Sequence, residues 1–193
     1  HLKDGVLNSE ITGAVNEFTF IEGDVTNNAK IAQKVNVNEN CSLTVGADIG
    51  DLGNSGRVTA NVENLTGDIS NAQNGILTLS GTLDTTKTRY VGNEGTILFS
   101  GTLDRTIVGG GVTKVNNTLT LGKNAGIAGT LNLNNGTINT KDGTLNAYNN
   151  INQITGNGNA TIDIDLTNKT ADTITVASGS GTITLDSLNI IKG

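Results

Sequence analysis

Aliphatic residues alternate with Thr, Asn or Asp in short runs along the whole chain. Phe18–Thr19–Phe20, Val35–Asn36–Val37, Leu43–Thr44–Val45 and Val58–Thr59–Ala60–Asn61–Val62 open the series. Leu77–Thr78–Leu79, Leu119–Thr120–Leu121 and Leu131–Asn132–Leu133 continue it. Ile162–Asp163–Ile164–Asp165–Leu166, Ile174–Thr175–Val176 and Ile183–Thr184–Leu185 close it. A period of two sends one row of side chains inward and the other outward, the pattern of a half-buried strand. On this pattern Asp163 and Asp165 share an outward face. Asn74–Gly75, Asn135–Gly136 and Asp142–Gly143 punctuate the runs as turns. No long segment carries a helical period.

One run is written twice. GILTLSGTLDTT (Gly75–Thr86) returns as GTILFSGTLDRT (Gly95–Thr106) at an offset of 95 − 75 = 20 residues. A repeat of this length marks a solenoid, in which each coil stacks its strands on those of the coil before. The alignment predicts ladders of Leu77 on Ile97, Leu79 on Phe99 and Leu83 on Leu103, with Thr and Asn facing water. Asn-Gly turns between alternating runs also suit a hairpin sandwich, but a sandwich has no physical need of such a repeat. The expected fold is therefore all-β: a parallel β-solenoid with coils of about 20 residues. A single domain over residues 1–193 is expected. Residues 1–30 fit the repeat least and read as a capping or entry coil. The repeat drifts later, NTLTLGKNAG (Asn117–Gly126) starting 117 − 95 = 22 residues after Gly95. Gly-Thr-Leu/Ile motifs at Gly129, Gly136 and Gly143 indicate several strands per coil.

Composition agrees. Asn and Thr each occur at about 28 copies, beside 26 Gly, no Pro and only three Phe and two Tyr. β-Branched residues suit strands, and Asn and Gly tolerate the positive φ of tight turns. The net charge of −6 argues against nucleic acid, whose backbone needs a basic face. Cys41 is the only cysteine and His1 the only histidine, so Cys–His and Ser–His–Asp chemistry are not expected, and Cys41 reads as a small buried hydrophobe. No apolar run reaches the roughly 18 residues of a membrane helix, so no direct membrane span is expected. No signal peptide is visible before His1, which suggests a mature product or excised segment.

ADTITVASGSGTITLDSLNI (Ala171–Ile190) resembles the last coils of bacterial autotransporter passenger domains of the pertactin-like type. The matching positions are Asp172, Ile174, Val176, Ser178, Gly179, Ile183 and Leu185, within passenger-like C-terminal coils over 171–190. GTLNLNNGTINTKDGTLNAY (Gly129–Tyr148) is similar to the Gly-Thr-Leu coils of the same passengers. The resemblance implies a right-handed parallel β-helix exported through the outer membrane by a C-terminal barrel. No barrel follows Ile190, so the resemblance requires a passenger fragment or cleaved product.

Candidate chemistry is sparse. Asp84 and Asp104 are ladder neighbours in the repeat and form a candidate outward acidic pair with Arg105 beside them. Carboxylates about 4.8 Å apart can hold a cation or act as acid and base; solvated turn residues are the simpler reading. Asp163, Asp165 and Asp172 offer hard oxygens for Ca²⁺, but the calcium-coil repeat is absent. Gly109–Gly111 lacks the Lys-Ser/Thr of a phosphate loop. Thr78, Thr120, Thr173 and Thr175 sketch a water-ordering row that Asn and Asp interrupt. Asn-x-Ser/Thr sequons at Asn64, Asn135, Asn159 and Asn168 follow from composition. Catalytic residues, metal and cofactors are not expected. The expected function is a non-catalytic extracellular stalk or adhesin of a bacterial surface protein, attached to the outer membrane or secreted. Its partner is a host or neighbouring-cell surface ligand, or itself through coil ends. The alternatives are a filament subunit assembling end to end and a carbohydrate-active β-helix enzyme.

Overall fold

The computed structural model describes residues 1–13, 17–86, 88 and 90–192. Among them the regular elements are strands, apart from one 3₁₀ turn at Val62–Asn64. The first half holds β1 (Gly5–Leu7), β2 (Phe18–Ile21), β3 (Asp24–Asn27), β4 (Lys34–Val37), β5 (Ser42–Val45), β6 (Leu52–Asn54) and β7 (Arg57–Asn61). There follow β8 (Ile69–Asn71), β9 (Ile76–Leu83), β10 (Val91–Asn93), β11 (Thr96–Leu103), β12 (Thr106–Ile107) and β13 (Val112–Leu121). The last part holds β14 (Gly126–Asn132), β15 (Thr137–Asn139), β16 (Ala147–Thr155), β17 (Gly158–Asp165), β18 (Thr170–Ala171), β19 (Thr173–Gly179) and β20 (Ile183–Lys192).

The chain is a parallel β-solenoid. Odd-numbered strands from β1 to β13 stack into one long sheet that continues through β14, β16 and β19. β2, β4, β6, β8 and β10 stack into a second sheet. A third face is a row of single parallel bridges joining Ile11, Ile31, Ile49 and Leu65. Among the described residues the only antiparallel pairing between strands is the short hairpin β17–β18, where Ile164 faces Ala171.

The repeat is the register. Leu77 stacks on Ile97, Leu79 on Phe99 and Leu83 on Leu103, all at 0–1 % exposure. The same inward column runs Val25–Leu43–Val58–Leu77–Ile97–Thr113–Leu131–Ile154. Its steps are therefore 18, 15, 19, 20, 16, 18 and 23 residues. Strand pairing holds the column, and loops absorb the length differences. The sequence offset of 22 after Gly95 is not the register: Ile97 faces Thr113, and Leu103 faces Leu121 after a bulge in β13. That bulge lengthens the step from 16 to 18 within one strand.

The repeated Ser-Gly-Thr-Leu has a backbone reason. Gly81 and Gly101 sit at φ +101° and +128° and stack on each other. A Cβ on Gly101 would lie 2.1 Å from the Gly81 carbonyl oxygen, so only glycine lets these coils close up.

Residues 1–13 keep the common register: Gly5 pairs with Val25, Leu2 with Ile21 and Ile11 with Ile31. The segment expected as a cap is thus built like the coils after it; its residues 14–16 lie outside the described residues.

Alternation inverts in two places. In β2, Thr19 is buried and donates its hydroxyl to Gln33 Oε1 at 2.9 Å, while Phe18 is 52 % exposed. In β17, Asp163 and Asp165 are at 0 % and 3 % exposure. They point inward, against the expectation that they share an outward face.

Asparagine corrects a second expectation. The column Ile21–Val37–Asn54–Asn71–Asn93 changes from aliphatic to amide without leaving the interior. Asn54 Nδ2 donates to Asn71 Oδ1, and Asn71 Nδ2 to Asn93 Oδ1, each at 2.8 Å. The ladder also caps the corner between the sheets. Gly56 N donates to Asn54 Oδ1 at 3.1 Å and Gly95 N to Asn93 Oδ1 at 3.2 Å.

Candidate functional site

Asp84 and Asp104 end adjacent coils, as the repeat requires, and Asp104 N donates to Leu83 O at 2.8 Å. Each carboxylate serves a separate turn. Asp84 Oδ1 accepts from Thr86 N and Oγ1 at 2.8 and 2.6 Å. Asp104 Oδ1 accepts from Asn124 N and Nδ2 at 2.8 and 3.1 Å. The first is a local Asx turn; the second ties Asp104 to the turn of the next coil, 20 residues on.

Arg105 turns into the corner beside Asp84. It is 7 % exposed, and its guanidinium donates to the Asp84 carbonyl at 3.1 Å and to the Thr88 carbonyl. Burial pulls its pKa below the ordinary value, and the charges of Asp68 and Asp84 oppose that shift. The expected outward triad is therefore one buried cation closing a coil corner and two carboxylates in separate turns. Sequence could not show this, because the corner bends Arg105 inward immediately after Asp104.

The trio weighed for Ca²⁺ has also turned inward. Asp163 Oδ2 accepts from Asp142 N and Gly143 N at 2.9 and 2.7 Å, and its Oδ1 accepts from Asn189 Nδ2. Asp172 accepts from Asn146 N at 2.8 Å, Asp163 N at 2.9 Å and Thr140 Oγ1 at 2.5 Å. Asp165 accepts from Asn168 N and Nδ2 at 3.0 and 2.8 Å. These N–H donors compensate the burial and hold the loop 140–147 against the stack. Among the described residues no group of three His, Cys, Asp or Glu is placed to hold a metal ion.

Tyr148 packs beside this network at 1 % exposure and donates its hydroxyl to Leu121 O at 2.9 Å. Burial and the charges of Asp172 and Asp142 push its pKa up to about 12. An unfolded phenol titrates near 10, so the unfolded chain loses this proton first as pH rises. The stabilisation is intact below about pH 10 and is lost as pH climbs to about 12. Denaturation midpoints measured from pH 9 to 12 should fall more steeply for the native chain than for Tyr148→Phe.

One outward row is polar and continuous. Thr82, Thr102, Thr120, Asn139 and Thr161 stack in register. Thr161 Oγ1 donates to Asn139 Oδ1 at 2.6 Å, and Asn139 Nδ2 to Thr120 Oγ1 at 3.3 Å. Thr26, Thr44, Thr59 and Thr78 form a second row, which Leu98 ends. Of the threonines weighed for ordering water, Thr78 and Thr120 thus lie in different rows.

An open groove of about 630 Å³ lies where β14, β16 and β19 bend at their bulges. Ile127 and Ile151 form its floor; Asn150, Asn152 and Thr175 rim it. It is the shallow, polar-rimmed kind of surface on which an extended ligand can lie, and the repeat gave no sign of it because bulges make it.

No family model, curated protein or solved structure matches this chain. Among the described residues no helix is long and apolar enough to cross a membrane.

Proposed function

We propose that this chain is a non-catalytic extracellular β-solenoid of a bacterial surface protein, acting as a stalk or adhesin of the autotransporter passenger type. The observation that carries the reading is the unbroken inward column from Val25 to Ile154, held while coil length varies. A stalk needs a register that passes load from coil to coil and leaves no long loop open to proteases, and stacked short coils supply both. Adhesion uses the outward Thr and Asn rows and the groove over β14, β16 and β19, through many shallow polar contacts. The resemblance of Ala171–Ile190 to passenger coils motivates the surface location. An acidic catalytic pair loses its motive, since Asp84 and Asp104 serve separate turns and Arg105 is inside.

The test is antibody raised to the purified chain, applied to intact cells of the source organism, with the labelled chain applied to host cells. Surface staining that external protease removes, together with saturable host-cell binding, is the expected result. Staining only after permeabilisation refutes the surface reading. Release of reducing ends from polysaccharide would make the chain an enzyme.

A further inference from the structure

The second sheet carries an outward face away from the groove. Val35, Leu52, Ile69 and Val91 stack in register and are buried. The residue before each therefore faces out, which gives the column Lys34–Asp51–Asp68–Tyr90. Leu52 N donates to Asp68 O at 2.7 Å and Ile69 N to Tyr90 O at 2.9 Å along it. The residue after each gives a neighbouring outward column, Asn36–Gly53–Ser70–Gly92. A Cβ at Gly92 would lie 2.7 Å from Tyr90 Cε1 and 3.0 Å from its hydroxyl. The Tyr90 ring thus lies across the bare backbone of Gly92, and the residue is still 48 % exposed. One coil away, Lys34, Asp51, Thr66 and Asp68 line a polar concavity of about 380 Å³. Asp51 Oδ1 is taken by Asp68 N at 2.8 Å. Asp68 Oδ1 is shielded from water and has no hydrogen-bond partner among the described residues, so this carboxylate keeps capacity for a donor.

We propose that this face of β4, β6, β8 and β10 binds a neutral glycan, one sugar ring stacked on Tyr90 and the next seated beside Asp68 and Asp51. A hexose offers an apolar face of C–H bonds to an aromatic ring, and its hydroxyls donate to carboxylates. Stacking surface beside a few polar groups is the usual make-up of a small-ligand site. The column from Lys34 to Tyr90 spans three coil steps, about 14 Å, so a short oligosaccharide can lie along the solenoid axis. Charge selects the class of glycan. Asp51 and Asp68 stand against Lys34 and the buried Arg105, on which the Asp68 charge acts, and the whole chain carries −6. Acidic polysaccharide gains nothing here, and a purely apolar partner would leave the carboxylates desolvated without donors. The site gives the adhesin reading a ligand class and rests on that reading only for its biological setting.

Cellohexaose, maltohexaose, mannohexaose and chitohexaose, titrated separately into the 193-residue chain, test this, with heparin as the acidic comparison. The chain has no Trp and Tyr148 is buried, so tyrosine emission reads contact with the Tyr90 ring, and calorimetry reads affinity. The expected result is saturable binding of at least one neutral probe, with Kd between about 1 μM and 1 mM. Tyr90→Ala should weaken it at least about 10-fold. Tyr90→Phe should keep it, since the ring face and not the hydroxyl stacks. Gly92→Ala should weaken it too, because the added Cβ displaces the ring, with the circular dichroism unchanged. Asn152→Ala, in the groove over β14, β16 and β19, should leave it intact. A native chain that binds none of the four neutral probes overturns the proposal. So does a preference for heparin, or neutral binding that Tyr90→Ala leaves at native strength. Should Tyr90→Ala fail to fold, Gly92→Ala and Tyr90→Phe still decide. Cell staining only after permeabilisation, with Tyr90-dependent binding intact, refutes the surface reading and leaves this site standing.

Discussion

Phe99→Ala should cost about 3–5 kcal/mol of unfolding free energy. Phe99 is fully buried, on Leu79 in the coil before and under Val115 in the coil after. Removing the ring leaves a cavity between coils that backbone pairing prevents from collapsing. The stack loses a column contact on both sides, so the effect should show as a lower urea midpoint with little change in slope. Leu98→Ala, one residue away with an outward side chain, should cost under about 1 kcal/mol. Similar costs for the two would mean that β11 does not alternate as described.

Asn71→Ala should cost about 3 kcal/mol, although the change removes only a small polar group. Asn71 is the middle rung of a buried amide ladder. Its Nδ2 donates to Asn93 Oδ1 at 2.8 Å and Gly75 O at 3.1 Å, and its Oδ1 accepts from Asn54 Nδ2 at 2.8 Å. Truncation leaves buried donors and acceptors on three coils without this partner, and each such group costs about 1–3 kcal/mol, partly relieved by relaxation. Asn152→Ala, on the exposed rim of the groove, should change stability by less than about 0.5 kcal/mol. Thermal melts of the two variants beside the native chain check this. If both Asn variants melt like the native chain, the ladder does not stabilise the stack.

Much of the fold could be read from the repeat, because a column of identical chemistry at a fixed offset has few explanations other than stacked coils. Leu77, Leu79 and Leu83 found their partners by alignment alone. Where coil length changes, alignment fails: Thr113 faces Ile97 although neither residue type nor spacing says so. The inward polar positions were the harder loss. Thr19, Asn71 and Asp163 occupy places that hydropathy assigns to aliphatics, and each is satisfied by donors or acceptors far away in the chain, which a period of two cannot foresee. One signal was available, since Asn54-Ser55-Gly56 and Asn93-Glu94-Gly95 share an Asn-x-Gly form whose side chain can bond the glycine N–H. The candidate site was legible only as neighbours in a ladder. That Asp84 serves its own turn, that Asp104 reaches the turn of the next coil, and that Arg105 points inward follow from corner geometry with no periodic trace.

The central claim is that one register runs through coils of unequal length, and spin-label distances test it most directly. Thr26, Thr44, Thr59, Thr78, Leu98, Lys114, Asn132 and Thr155 form one stacked column. With one label fixed at Thr26, a second at Thr78, Leu98, Lys114, Asn132 or Thr155 is three to seven coils away. The solenoid predicts distances rising by about 4.8 Å per coil, from roughly 14 Å at Thr78 to roughly 34 Å at Thr155, whatever the residue count between them. Distances that alternate, plateau or scale with sequence separation would contradict the stacked register and the functional reading built on it.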